Sequence, residues 1–250
     1  MENPTPETWL AWSNYLRSDL NISLSDSALD NFKILFTELV EWNEKMNLIS
    51  FRSGEELLYR HFADSLACFK LVENNNMRFE NLRVIDIGTG AGFPGLPCKI
   101  AAPSINITFV ESITKKCGFI NHIKEKLKLT DTAILNTRAE ELARDSAHRS
   151  KYDILLSRAV TKLSPNIEIS IPFLKRGGLA LIYKTEKTAS KEELLLAGNA
   201  IANLKCGLKD SFTYTLPGQE NKYTILAFEK LGETPIQFPR QTGMPEKKPL

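Results

Sequence analysis

Apolar positions change their spacing along this chain, and each change marks a different kind of element. Over the first 80 residues they fall at three- and four-residue steps: Leu29, Phe32, Leu35, Phe36, Leu39, Val40 and Trp42, then Leu57, Leu58, Phe62, Leu66 and Phe69. That period lays one dry stripe along a helix, and Ser25 stands where a capping side chain belongs. Asn74, Asn75 and Asn76 break the pattern and mark a turn or linker. From Leu82 the apolar residues gather into short runs instead: VIDI at 84–87, INITFV at 105–110, 132–135, YDILL at 152–156 and LALIY at 179–183. Amphipathic or polar stretches separate them, the clearest over 114–129. Short buried strands alternating with helices predict an α/β fold around a mostly parallel, doubly wound sheet. Residues 209–216 and 223–230 flank PGQEN and read as an antiparallel pair, and Pro235, Pro239, Pro245 and Pro249 predict an irregular tail. The expected organisation is a helical N-terminal extension over 1–80, a sheet domain over 81–231 and a tail over 232–250.

Bulk chemistry narrows this picture little. With 32 basic and 30 acidic side chains the net charge is +2, too balanced to announce a nucleic-acid partner or to exclude a local basic face. Cys68, Cys98, Cys117 and Cys206 form no C-x-x-C pair and the three histidines form no cluster, so no metal is expected. No apolar run reaches the roughly 18 residues of a membrane span. The start, MENPTPETW, lacks a basic, apolar leader. These features predict a reduced, cytoplasmic chain without a membrane partner.

The candidate chemistry lies in VIDIGTGAGFPGLP, residues 84–97. Its GAGFPG matches the dinucleotide fingerprint G-x-G-x-x-G, directly after the first strand, where ligands bind in doubly wound sheets. A pyrophosphate wants free backbone N–H groups and no carboxylate nearby. Here Asp86 ends the strand two residues before Gly88, the turn begins at Gly88 rather than Gly90, and Pro94 removes an N–H. An ionised Asp86 would repel phosphate and favour an ammonium. Glu111, closing the second strand, can accept both hydroxyls of a ribose, which fits a dinucleotide and a methyl-donor nucleoside equally. A ligand cationic at one end with a ribose at the other is S-adenosylmethionine. The alternative is a purely structural turn with Glu111 as a solvated cap.

Taken in order, DIGTGAGFPGLP, FVESITKKCGFI, TRAEEL and LLSRAV resemble the RsmG family, also called GidB. The upstream NLISFRSGEELLYRHFADSL and the closing TPIQFPRQTGMPEKKPL resemble the same family's ends, so the likeness runs from about Trp42 to Leu250. It implies a class I, Rossmann-like methyltransferase domain with a helical extension. The implied activity is S-adenosylmethionine-dependent methylation of N7 of one guanine in bacterial 16S ribosomal RNA, with that RNA or the small subunit as partner. Gly88 and Phe93 in the glycine turn, Ala139 and Glu140 of RAEE, and Arg158 of SRAV resemble cofactor contacts, and Gly90 of the same turn is a further candidate. The acidic position closing strand two is usually Asp in a D-S pair and is Glu111-Ser112 here. The stretch between Glu140 and Arg158 is also longer than the family pattern, as a loop insertion would make it.

Two further groups carry two readings each. Arg60 and His61, with Asp64 and Ser65 at helical spacing, either face the site and hold RNA or cofactor, or form a surface ion pair and a core histidine. Lys115 and Lys116, followed by Lys124, Lys126 and Lys128, either contact phosphates at the rim or belong to a solvated helix face. Arg240, Lys247 and Lys248 form a weaker basic patch in the tail. No general base is called for, because guanine N7 keeps a free lone pair in its neutral form. Three activities remain on residue chemistry: the RNA methyltransferase, a methyltransferase with another acceptor, and a nicotinamide-dependent oxidoreductase. A non-catalytic RNA-binding role also stands if the glycine turn is only structural.

Overall fold

The computed structural model describes residues 3–250. Helix α1 (Pro6–Asp19) opens on Thr5, whose side chain accepts from the Thr8 N–H, with Pro6 at the first helical position. Helix α2 (Asp26–Met46) is capped by Ser25 as its sequence predicts, and Asn47 ends it in the left-handed region at φ +46°. The next expected helix is not regular. Its first turn, Gly54–Glu56, runs into a π-helical stretch, Leu57–Ala63, before the α turn Asp64–Leu66 and the helix Cys68–Asn74. A π turn inserts an extra residue and re-aims the side chains that follow, and such stretches gather at functional sites. Arg60, His61 and Asp64 occupy this segment and its exit.

The sheet has seven strands: β1 (Arg83–Ile87), β2 (Asn106–Val110), β3 (Thr132–Leu135), β4 (Tyr152–Arg158), β5 (Leu174–Thr185), β6 (Cys206–Thr215) and β7 (Lys222–Lys230). Their order is β3-β2-β1-β4-β5-β7-β6. Neighbours among the first five are parallel, whereas β7 lies antiparallel between β5 and β6. The expected hairpin therefore forms, but its second strand sits inside the sheet and its first strand makes the edge. The order reverses between β1 and β4, so the crevice at their carboxyl ends is the natural ligand site.

One face of the sheet and the N-terminal helices share a single core. Trp12, Phe32, Phe36 and Phe62 from the helices pack in the same cluster as Ile107, Phe109, Leu156 and Leu181 from the strands. The Trp12 indole N–H, fully buried, donates to the Leu58 carbonyl at 2.9 Å. The boundary near residue 80 marks a change from helices to sheet, while the core runs across it. The opposite face is covered by the helices Leu163–Ser170 and Gly198–Leu204. No helix among the described residues is long and apolar enough to cross a membrane.

The tail is ordered more tightly than its prolines predict. It ends in a short helix, Met244–Lys247, and three arginines hold the chain before it. Arg144 donates twice to the Pro239 carbonyl, and Arg149 donates to the Phe238 and Thr234 carbonyls at 2.7 and 3.0 Å. Both arginines lie in the segment between Glu140 and Arg158, so that segment anchors the tail. Arg240, read from sequence as part of a basic patch, is instead committed to Glu168. Its side chain meets that fully buried carboxylate at 2.6 Å and its backbone N–H adds a further bond at 2.8 Å.

Removing one partner of such a pair strands a charge without water. Arg240→Ala is therefore expected to cost roughly 3 kcal/mol of stability and to release the tail. Urea denaturation should show the loss, and hydrogen exchange should show it concentrated over residues 234–250.

Candidate active site

The glycine turn links β1 to the helix Gly95–Ala101 and is held from two sides. From below, Asp86 Oδ2 accepts from the Thr89 hydroxyl at 2.6 Å and from the Gly95 N–H at 2.8 Å. Gly95 is required here, because a Cβ on it would come within 2.7 Å of that same oxygen and 2.4 Å of the Phe109 ring. From the side, Glu111 Oε2 accepts from the Gly90 N–H at 2.9 Å and Oε1 from the Ile113 N–H at 2.8 Å. Gly88 adopts φ +59°, and a Cβ there would lie 2.9 Å from Val160 Cγ2. The turn is thus strapped to the end of β2 and pressed against the segment that follows β4.

The Asp86 carboxyl, expected from sequence to meet a ligand's ammonium, lies beneath the glycine turn rather than in either cavity described below. It is completely buried, and its Oδ1 has no partner. Burial outweighs its two hydrogen bonds and raises its pKa to about 7. Its work is to brace the turn.

Two cavities open at the carboxyl ends of the strands. The smaller, about 280 Å³, is lined by Gly88, Glu111, Ala139, Glu140, Gly243 and Glu246, among others. Glu140, in the short helix Ala139–Leu142, accepts the Gly243 N–H at 3.1 Å, so the tail closes this cavity. Sequence reading placed Gly88, Glu111, Ala139 and Glu140 at one ligand, and the fold brings all four together. Gly90 contributes its N–H to Glu111 rather than lining the space. Three carboxylates, Glu111, Glu140 and Glu246, face one arginine, Arg138, in this lining. A diphosphate would meet net repulsion there, whereas a neutral or cationic nucleoside would not. Glu111 spends one lone pair per oxygen on the backbone and keeps others for hydroxyl donors.

The larger cavity, about 600 Å³, is lined by the π segment (Arg60, His61) and Asp64, by Arg158 at the end of β4, and by Tyr183 and Lys184 at the end of β5. Arg158 NH1 donates to Asp64 Oδ2 at 2.9 Å, NH2 approaches His61 Nδ1 at 3.4 Å, and the guanidinium covers the Phe93 ring at 5.4 Å. Phe93 itself reaches neither cavity: it is buried, stacked on Phe62 at 6.0 Å, and supports Arg158 from beneath. His61 Nε2 lies 3.2 Å from the Ser50 carbonyl, which makes Nε2 the donor and leaves Nδ1 to accept from Arg158. Burial first, and Arg158 second, push its pKa down to about 3, so His61 is neutral at working pH. Arg60 pairs with Glu56 at 2.8 Å and stands at the rim, half exposed. Val160 lines both cavities and is their common wall.

Some members of the site left no signal in the sequence. The Tyr214 hydroxyl, from β6, donates to Asp64 Oδ1 at 2.6 Å across 150 residues of chain. Tyr183 and Lys184 lie in an apolar run that reads as an ordinary strand. Lys115 and Lys116 line neither cavity, and Lys115 donates to the Met46 carbonyl at 3.2 Å. Further along that helix Lys126 pairs with Glu38 at 2.8 Å.

A family model described as rRNA small subunit methyltransferase G matches residues 28–221 of this chain. A curated "Ribosomal RNA small subunit methyltransferase G" from Desulfitobacterium hafniense (strain Y51) is 39% identical over 234 residues, covering 94% of each chain. One of the same name from Streptococcus pneumoniae serotype 19F (strain G54) is 39% identical over 237 residues, covering 94% of this chain and 97% of the relative. Among solved structures, TrmN from Thermus thermophilus superposes with a TM-score of 0.51 at 18% identity, over 70% of this chain and 53% of that one. That likeness supports the α/β, Rossmann-like fold.

The buried Asp86 gives the site a pH signature. Its carboxyl titrates near 3.8 when unfolded and about 7 when folded. Between those values the unfolded chain releases a proton that the native state retains, so stability falls as pH rises through this window and levels off above it. Asp86→Asn keeps an amide oxygen for Thr89 and Gly95 and removes the titration. Urea melts at pH 4.5 and 7.5 should show a smaller decline for the variant than for the parent protein.

Proposed function

The chain belongs to the rRNA small subunit methyltransferase G family, and we propose that it methylates N7 of a guanine in 16S ribosomal RNA with S-adenosylmethionine as methyl donor. The observation that carries this reading is the pair of cavities meeting at Val160. The small one has carboxylates and a glycine turn suited to a cationic nucleoside. The large one is big enough for a nucleobase and is lined by cations suited to RNA.

In this reading Glu111 takes the ribose hydroxyls, Ala139 and Glu140 border the adenine, and Gly88 lets the donor approach the turn closely. Bound there, S-adenosylmethionine supplies an electrophilic methyl group, which guanine N7 accepts with a lone pair already free in the neutral base. The protein's task is alignment rather than proton transfer. His61 fits that task, since its low pKa and its contact with Arg158 make it a brace rather than an acid. Arg158, fixed by Asp64, His61 and Phe93, places an immobile cation in the acceptor cavity, and Tyr214 holds Asp64 for it. Arg60 at the rim, with Lys115 and Lys116 on the helix after Glu111, would meet RNA phosphates.

The acidic lining of the small cavity argues against the nicotinamide reading, because a dinucleotide would bring two phosphates to three carboxylates. The acceptor distinguishes the remaining alternative. The test is transfer of labelled methyl to 16S RNA and to small subunits from a deletion strain, followed by nucleoside analysis. The expected product is 7-methylguanosine. Transfer to neither substrate, or label in another nucleoside, would overturn the assignment.

Glu111→Gln turns one acceptor oxygen into an amide donor opposed to a backbone N–H. It is expected to weaken S-adenosylmethionine about tenfold or more, as loss of a hydrogen bond to a charged group does. Calorimetry checks this, with NAD as a ligand expected not to bind either protein.

A further inference from the structure

Several polar groups of the large cavity are committed within the protein. The Tyr183 hydroxyl is used on the Ser65 carbonyl at 2.7 Å. Asn166 donates to Ser157 and accepts from Ser170, both at 2.9 Å. Both oxygens of Asp64 are taken, by Arg158 and Tyr214. Lys184 differs. Its side chain is only 10% exposed, yet a single acceptor lies within hydrogen-bond distance of Nζ: the Thr161 carbonyl, at 2.9 Å. The nearest carboxylate oxygen, Glu193 Oε1, stands off at 4.0 Å and already accepts the Leu163 N–H at 2.8 Å. An ammonium has three N–H groups. Holding one this deep with N–H groups to spare is costly unless something else accepts from it, and burial lowers its pKa accordingly.

We propose that Lys184 is the residue that reads the acceptor base, donating to guanine O6 in the large cavity. The inference rests on the guanine-N7 reading above and names the side chain that gives it base specificity. The Hoogsteen edge of guanine presents two acceptors, N7 and O6, whereas adenine presents a donor where O6 would be. A lysine at this position therefore favours guanine and opposes adenine. It also suits the chemistry better than arginine. A guanidinium fork takes O6 and N7 together and would cap the lone pair that must attack the methyl group. A single ammonium can hold O6 and leave N7 free. Glu193, at 4.0 Å, partly offsets the lysine's charge as the purine gains its own.

The test crosses the side chain with the atom it is said to read. RNA substrates carry either guanosine or 2-aminopurine, which lacks O6 and keeps N7, at the methylated position. The parent protein should prefer guanosine by about tenfold to a hundredfold in kcat/KM, as expected for one hydrogen bond to a charged donor. Lys184→Met should bring guanosine down to the 2-aminopurine level and abolish the preference. Its S-adenosylmethionine affinity should stay unchanged, since Lys184 does not line the small cavity. A variant that keeps the parent's preference would overturn the proposal, as would a parent with no preference. Should Lys184→Met fail to bind S-adenosylmethionine, Lys184→Gln replaces it, and a preference equal to the parent's would again refute the role. A parent that methylates no guanosine at all refutes the activity itself, a result distinct from normal methylation without discrimination.

Discussion

The glycine turn depends on a carboxyl group buried beneath it. Asp86 sits at the end of a strand buried on both faces, where an ion is expensive, and there it gathers the Thr89 hydroxyl and the Gly95 N–H onto one oxygen. Those two bonds set where the glycine turn begins and where the next helix starts. Glu111 then grips the far side of the turn through Gly90. One carboxyl braces from the dry interior and the other from the wet rim. The rim group lines a cavity and the interior one does not, so the two acidic residues that look equivalent in the sequence divide the work by their depth.

Arg158 shows the same economy in the larger cavity. A guanidinium left loose in a 600 Å³ space would cost little to reorient and would position nothing. Here its plane lies over Phe93, its ends meet Asp64 and His61, and Tyr214 secures Asp64 in turn. The π stretch brings the helical partners to it. This arrangement ties the N-terminal helices, β4 and β6 to one cation, which is a physical reason for the extension and the sheet to share a core rather than stand apart.

Elements with a local cause were legible in the sequence. The Ser25 cap, the buried runs of β1 to β5 and the antiparallel pair all follow from periodicity or turn chemistry that a short window contains. The small cavity was legible too, because Gly88, Glu111, Ala139 and Glu140 sit at strand ends that the doubly wound order must bring together. What could not be read was set by partners far along the chain. The π stretch has no spacing signature in RHFADSL. Arg240 reads as a free cation until Glu168 is found beside it, 72 residues earlier. Asp86 reads as a ligand group because sequence gives its position on a strand and not the depth of its carboxyl. Lys184 closes an apolar run, and only the fold shows that its ammonium has one acceptor.

Val160 makes the two cavities one device. Ala159, just before it, holds a left-handed backbone at φ +55°, a conformation that costs a residue with a Cβ about 1 kcal/mol or more. That twist carries the chain from β4 across the mouth of the glycine turn, where Val160 packs against the bare face of Gly88. Any atom added to Gly88 must push Val160, and Val160 cannot move without reshaping the larger cavity. The two cavities are therefore coupled through one valine side chain. Strain at Ala159 and the missing side chain at Gly88 are two halves of the same requirement: Val160 must lie close over the glycine turn, where it borders both cavities.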